Sequence, residues 1–535
     1  MSVIPTINGK KFKQYSKLQA QKMSQKWDVI IIGSGMAGMS AASALSKFGK
    51  KVLLLEQHYI PGGFTHMYGR KGYAWDAGTH AIGEMKTQTP VKKMLDWLSA
   101  KKIDWISLGK EYDRFYFGNG KVMNFPDTPK EMIGLLKREF PNEVDVIDRY
   151  ITLCKNAVTS SRLLFGKNML PSSFQSPVSK ISKLFTDKYF LKTTKEVLNK
   201  LGMSNELQRV VTAQWGYYGN PPFESSFGLH ALVVWHFIHG ASYPKGGSKV
   251  FAEGILQEVA NHHGEILCRA RVKRVLVDND RATGVELEDG YKFFAKYVIS
   301  AAAIKTTVKN LLPEKFALSD WGRSILEVKN SPSYISLNMG FEEDISKLGA
   351  DLKNHWIYAT DDLDAKLWKI ENKDEVPPII YISFPSVKDP GHMLKDKLKH
   401  TAECITFVPW ETFAKWKDSD YQDRDQEYED LKEEMSKRLI ACLQKHFPAM
   451  MAKLSYYELS TPLTTKHFAE SRNGAIYGLD CTPERFACQE LGPNTPIKNF
   501  YLTGVDTLAP GIAGAMSSGL VTAAKIDLRA LPHLL

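Results

Sequence analysis

The chain has 535 residues, 43% of them hydrophobic and 24% charged, proportions that exclude wholesale disorder and fibrous architectures. Lys and Arg total 70 against 59 Asp and Glu, a net charge of +11, which suits an anionic partner. No nucleic-acid module accompanies the charge, so a membrane surface is the expected partner. Six scattered cysteines with no CxxC pair argue against a disulfide scaffold or a zinc ribbon.

At about 150 residues per domain, the length predicts three or four units or two large interleaved ones. Residues 1–26 hold six lysines and no acid, and read as a basic tail rather than a cleaved signal peptide, because no apolar run follows. The longest apolar stretch, 29–45, is interrupted by glycines and serines and makes a poor bilayer span. Residues 28–32 form a continuous apolar run, as a buried parallel strand requires. A glycine-rich turn over 33–38 follows, then a helix over 39–48 stopped by Gly49, then a second strand over 51–56.

Residues 96–240 are helical, irregular and rich in aromatics. A helix is predicted over 248–263, then short strands at 266–269, 271–278, 283–288 and 291–294, and a buried run at 297–303. Residues 310–495 form a second mixed block, in which Tyr428, Leu431, Met435, Leu439 and Leu443 recur at helical spacing on an acid-rich background, the pattern of a surface helix. The chain closes with a strand over 499–503 and an Ala/Ser helix over 514–527. These elements predict an α/β fold. A Rossmann-like parallel sheet with a β-meander is assembled from 27–95, 241–310 and 496–535, and an α+β substrate domain from 96–240 and 311–495 interrupts it.

The turn Gly33-Ser34-Gly35-Met36-Ala37-Gly38 lies between a buried strand and a helix, and Glu56 ends the next strand. In that context the glycines let phosphate oxygens approach the backbone, and the helix N-terminus offers N–H donors and partial positive charge to a pyrophosphate. Glu56 suits a ribose diol and would repel a 2′-phosphate. Further along come Gly62-Gly63-Phe64-Thr65-His66-Met67-Tyr68-Gly69, Asp76-Ala77-Gly78-Thr79-His80-Ala81-Ile82-Gly83, Tyr243-Pro244-Lys245-Gly246-Gly247, Tyr501-Leu502-Thr503-Gly504-Val505-Asp506 and Gly511-Ile512-Ala513-Gly514.

Together these segments span nearly the whole chain, and in their order the sequence resembles the FAD enzymes of the phytoene desaturase, carotenoid isomerase and retinol saturase group, most of all the retinol saturase branch. The resemblance implies FAD as cofactor, with Gly33, Ser34, Gly35, Met36, Ala37 and Gly38 at its pyrophosphate and Glu56 at the adenosine ribose. Gly62 and Gly63 would allow close passage of pyrophosphate and ribitol, and Val272 would face the adenine. Gly504 would stand beside Asp506, which would bind ribitol or phosphate-side groups, and Gly511, Ile512 and Ala513 would set a helix N-terminus against the flavin's pyrimidine edge, where partial positive charge stabilises a reduced, anionic ring. One departure is that Phe64-Thr65 stands where many relatives of that group carry a basic residue.

The implied reaction is saturation of a carbon–carbon double bond in a hydrophobic polyene, with NAD(P)H as a candidate transient electron donor. The step needs a proton donor beside the flavin. His80 is the first candidate, with Tyr218 and His236 behind it, from an aromatic stretch that also offers Tyr217 and His230 as pocket-lining residues. No metal site is expected: His230, His236 and His239 lack a common face and a carboxylate. Lysines interleaved with aromatics over 174–195 fit a segment lying on an anionic membrane. The expected location is cytoplasmic and peripherally membrane-associated. Two alternatives stand beside saturation: cis–trans isomerisation or desaturation on the same scaffold, and a lipid- or prenyl-carrying binding protein without turnover.

Overall fold

The structure, a computed structural model, describes residues 3–23, 26–86, 88–166, 186–362, 364–372, 375–392 and 399–534. Five strands lie side by side in parallel, in the spatial order Glu265–Leu267, Val52–Leu55, Lys26–Ile32, Lys292–Ser300 and Phe500–Leu502. Successive side chains of a strand point to opposite faces, so the apolar run of Lys26–Ile32 serves two cores. Val29 and Ile31 pack under the helices Met36–Lys47, Val250–Asn261 and Gly511–Ile526. Ile30 and Ile32 pack under a layer that includes Val275, Val285, Val308 and Phe316.

The runs predicted separately at 291–294 and 297–303 are one strand, Lys292–Ser300. Its first part pairs antiparallel with Arg281–Leu287, and its last three residues pair parallel with Phe500–Leu502. The change of neighbours explains the split pattern: Phe294 is 42% exposed, whereas Val298 and Ile299 are fully buried. Helices Met36–Lys47 and Gly511–Ile526 each begin about one turn before the predicted start. Their first turns are glycine and alanine rich, which hydrophobic periodicity does not register.

A seven-stranded sheet forms the other layer, in the order Val122–Pro126, Glu111–Tyr116, Asn354–Tyr358, Ile379–Ser383, His400–Val408, Ser333–Phe341 and Leu454–Ser460. The helix Gln426–His446 covers one face through buried Tyr428, Met435, Leu439 and Leu443 and keeps its charged side in solvent. The other face presents Tyr334, Trp356, Tyr381 and Phe407 toward the helices Val144–Gly166 and Phe227–Phe237.

Two expectations change here. The segment expected as a basic tail is built into the fold over its described part: Phe12 and Ala20 are buried, and the Tyr15 backbone N–H donates to the Cys268 carbonyl at 2.7 Å. Of the stretch 174–195 expected on a membrane, 174–185 lies outside the described residues. Tyr189 and Phe190 are buried, with Phe190 packed against Phe165 and Phe486. Both residues belong to the hydrophobic core. Among the described residues no helix is long and apolar enough to cross a membrane.

Candidate active site

One cavity of about 1270 Å³ runs from the carboxyl ends of the parallel strands to the aromatic face of the second sheet. Ligands of open α/β sheets bind at those strand ends, and every cofactor candidate except Gly38 lines this cavity.

At Gly33 the backbone turns with φ +94°, a conformation that side-chained residues rarely adopt. A Cβ on Gly35 would meet nothing within 4 Å, because the position faces the cavity, whereas a Cβ on Gly38 would collide with the Gly33 carbonyl. Gly35 therefore leaves room for a ligand and Gly38 permits the turn to close on its helix. Ser34 donates to Glu56 Oε2 through its backbone N–H (2.8 Å) and its hydroxyl (2.6 Å), and the His58 N–H donates to Oε1 at 2.8 Å. Gly62 donates to Ser34 Oγ at 3.2 Å, and Gly63 sits so close to Gly35 that an added Cβ would lie 3.1 Å from its Cα. The two glycine turns are thus stacked over each other beside Glu56, and Val272 lines the same end of the cavity.

The helices Met36–Lys47 and Gly511–Ile526 begin at the cavity, and neither has a side-chain cap hydrogen bond. Their first N–H groups lack intrahelical partners and remain available to a ligand. Gly519 brings the helices together, since a Cβ there would collide with the Ala37 carbonyl. Gly504 and Gly511, at φ +133° and +80°, face open space, as do Ile512 and Ala513 on the cavity wall. Asp506 accepts from the Ile304 N–H at 2.9 Å and the Leu479 N–H at 2.8 Å, which fixes the last loop against two others. The N–H donors of paired uncapped helix ends, glycines opening on free space and an accepting carboxylate at the neighbouring strand end together fit a dinucleotide with a bulky ring system.

Beyond this end the walls turn apolar. Tyr217 stacks on Phe237 at 4.3 Å between centroids and meets Trp356 edge-on at 4.8 Å, while Trp356 lies 4.6 Å from Tyr381. Leu229, Leu232, Ile379, Ile405 and Phe407 continue the lining.

The three catalytic candidates separate. His80 lines the cavity; its Nδ1 is buried, lacks a hydrogen-bond partner and lies 3.3 Å from Glu403 Oε2, a hydrogen-bond length without hydrogen-bond alignment. Burial, with the Lys388 charge nearby, lowers its pKa to about 3, so the imidazole is neutral. His236 also lines the cavity, but its Nε2 accepts from the Gly83 N–H at 2.9 Å and its Nδ1 lies 3.0 Å from Glu84. Both nitrogens hold the short strand Ile82–Gly83 and the residue after it. Tyr218 is a correction: it is fully buried outside the cavity lining, with its hydroxyl 3.0 Å from His230 Nδ1, whose Nε2 is 2.8 Å from the Tyr150 hydroxyl. It is a core residue, and its neighbour Tyr217 takes the wall position.

Sequence reading missed the polar cluster behind His80. Lys388 is completely buried and donates to the His80 carbonyl (3.0 Å), Asn354 Oδ1 (2.5 Å) and Ser383 Oγ (2.7 Å). Burial pulls its pKa down to about 7, against the opposing pull of Asp113, Glu403 and Asp76. Asp113, pushed up by burial to about 6, accepts from Tyr217 (2.8 Å), Asn354 (3.0 Å) and Gln214 (3.0 Å). Glu403 Oε1 accepts from the Asp76 N–H at 2.9 Å, and Asp76 in turn accepts from Tyr243 and from the Ser248 N–H. A lone acid inside the strand His400–Val408 was the available signal for Glu403. Lys388, at the end of the short helix Pro385–Lys388, offered none.

The model of the flavin containing amine oxidoreductase family matches residues 36–527. The chain belongs to that family. Its members bind a flavin, and the glycine turns, Glu56 and the two helix ends fit FAD. The all-trans-retinol 13,14-reductase of Rattus norvegicus is 32% identical, over 98% of this chain and 90% of its own. The chloroplastic prolycopene isomerase of Arabidopsis thaliana is 26% identical, over 94% of this chain and 82% of its own. A solved structure, wild-type putrescine oxidase bound to putrescine, superposes with a TM-score of 0.61 at 15% identity, covering 94% of this chain and 99% of that one; it bears on the fold alone.

Proposed function

We propose that this FAD oxidoreductase saturates a carbon–carbon double bond in a hydrophobic polyene of the retinoid or carotenoid kind. The observation that carries the reading is the continuity of one cavity from the glycine turns to an aromatic, apolar chamber. Its volume exceeds the roughly 300–1,000 Å³ of a single small-molecule site, so a dinucleotide and a second apolar ligand fit together. Full-length similarity to all-trans-retinol 13,14-reductases supports the same choice.

In this reading, Gly33 to Gly38 hold the pyrophosphate, Glu56 the adenosine ribose, Gly62 and Gly63 the adjoining backbone passage, and Val272 the adenine. Gly504 and Asp506 hold the ribitol side, and Gly511 to Ala513 the pyrimidine edge. Reduced FAD, when bound, supplies hydride. Tyr217, Phe237, Trp356 and Tyr381 orient a flat conjugated chain by stacking and exclude water from it. His80 meets the bound chain where the apolar chamber joins the cofactor end. NAD(P)H is proposed as the transient source of electrons.

Similarity to prolycopene isomerases favours one second reading, isomerisation on the same scaffold. Anaerobic incubation of the reduced flavoprotein with candidate polyenes, read by mass spectrometry, separates the two. A product heavier by two hydrogens means saturation; an unchanged mass with altered chromatographic retention means isomerisation. A preparation without flavin absorption would support a lipid carrier instead. Peripheral contact with an anionic membrane on the cytoplasmic side is proposed from the +11 charge and the apolar substrate class. Sedimentation with anionic liposomes that high salt does not reverse would remove the electrostatic part, because salt screens exposed charge.

A further inference from the structure

We propose that Glu403 stores the proton for the reduction and passes it to the substrate carbon through the imidazole of His80, with Lys388 as the positioning charge behind both. The inference rests on the saturation reading above and names the proton path within it.

The geometry points one way. Glu403 is 1% exposed, reaches the cavity wall, and has its two oxygens divided between the Asp76 N–H and the His80 ring. His80 Nδ1 has no other partner, and the ring itself lines the cavity. A neutral imidazole with its proton on Nε2 gives that proton to one carbon of the double bond as hydride reaches the other. It takes the Glu403 proton at Nδ1 in the same exchange. Two C–H bonds replace the C=C π bond, the imidazole ends neutral in its other tautomer, and Glu403 ends as a carboxylate beside the Lys388 ammonium. Solvent protons restore it after turnover. The 3.3 Å contact is short enough for transfer once substrate aligns it, since such bonds commonly tighten only in the complex.

The surroundings favour a stored proton. Burial, then the charge of Asp76, raises the Glu403 pKa well above the usual carboxylate range, while the Asp76 N–H and Lys388 pull it down. The other titratable side chains facing it are Tyr68, Tyr243, Tyr334 and Tyr381, each itself held in the neutral phenol form by burial. Hence Glu403 meets His80 as an acid, and loss of Lys388 would move its titration further up.

Glu403→Gln in the holoenzyme keeps an acceptor for the Asp76 N–H and removes the proton. The expected result is full flavin content, a loss of protonated-carboxyl absorption in the infrared difference spectrum against wild type, and single-turnover reoxidation of the flavin by polyene slowed by about 10²–10⁴-fold, the range of general acid catalysis. Glu403→Asp should recover part of that rate. Lys388→Met should shift the alkaline limb of the rate profile to higher pH, since the acid form then persists further. An unchanged carboxyl band, a wild-type rate in Glu403→Gln or an unmoved limb in Lys388→Met overturns the proposal while leaving saturation standing. Wild-type protein that adds hydrogen to no polyene overturns the saturation reading and the transfer step, and the infrared band then separately decides whether Glu403 carries a proton.

Discussion

The carboxylate of Asp506 and the backbone N–H of Ile304 meet at 2.9 Å across 202 positions of sequence. The other oxygen of the same carboxylate takes the Leu479 N–H at 2.8 Å. One side chain therefore closes three loops at the edge of the cavity. Asp506→Ala leaves two buried amides without an acceptor, at about 1–3 kcal/mol each. A lowered thermal midpoint of the apoprotein, together with loss of bound flavin, is expected; an apoprotein as stable as wild type would show that the linkage carries no stability.

Gly35 and Gly38 should respond differently to the same added methyl group. At Gly35 the backbone has an ordinary φ of −63° and the methyl would enter open cavity, so Gly35→Ala should leave apoprotein stability near wild type and weaken flavin binding. At Gly38 the methyl meets the Gly33 carbonyl, and Gly38→Ala should destabilise the apoprotein as well. Thermal unfolding with and without FAD, beside a flavin titration, separates the two outcomes.

Adjacent tyrosines give a second contrast. Tyr218→Phe removes a buried hydroxyl bonded to His230, which should cost about 1 kcal/mol of stability and leave kcat near wild type. Tyr217 stacks at the cavity wall and donates to Asp113, so Tyr217→Ala should raise KM for a polyene by opening the aromatic chamber. Steady-state kinetics on both variants checks the assignment of wall and core.

Asp113 carries a pH signature. Its folded pKa, about 6, lies above the ordinary value of 3.8. The raised value means that folding favours the acid form: this stabilisation is fully present below pH 3.8 and is lost as pH rises through 6. Asp113→Asn removes the titration, so its thermal midpoint should change less between those two values than that of wild type. Parallel slopes for the two proteins would contradict the assignment.

The dinucleotide end of the site was legible because its chemistry is local. A buried strand, three glycines at fixed spacing, a helix and a terminal acid are consecutive in the chain, and each backbone demand leaves a glycine behind. The family resemblance extended that reading to Gly504, Asp506 and the last helix. Element starts were read late at Met36 and Gly511, where small residues hide the helical period, and Lys292–Ser300 was read as two pieces because its two ends face different neighbours.

Sequence alone thus determined the first strand, the glycine turns and a dinucleotide site, which follow from short-range backbone geometry, and its resemblance to a family of FAD enzymes implied the flavin. Tertiary structure alone decided that Tyr217 and not Tyr218 faces the chamber, that His236 is spent on holding the strand Ile82–Gly83 and Glu84, and that Glu403 and Lys388 stand behind His80. Burial and the approach of side chains hundreds of residues apart set a group's charge and exposure, and neither quantity is written in any single stretch of chain.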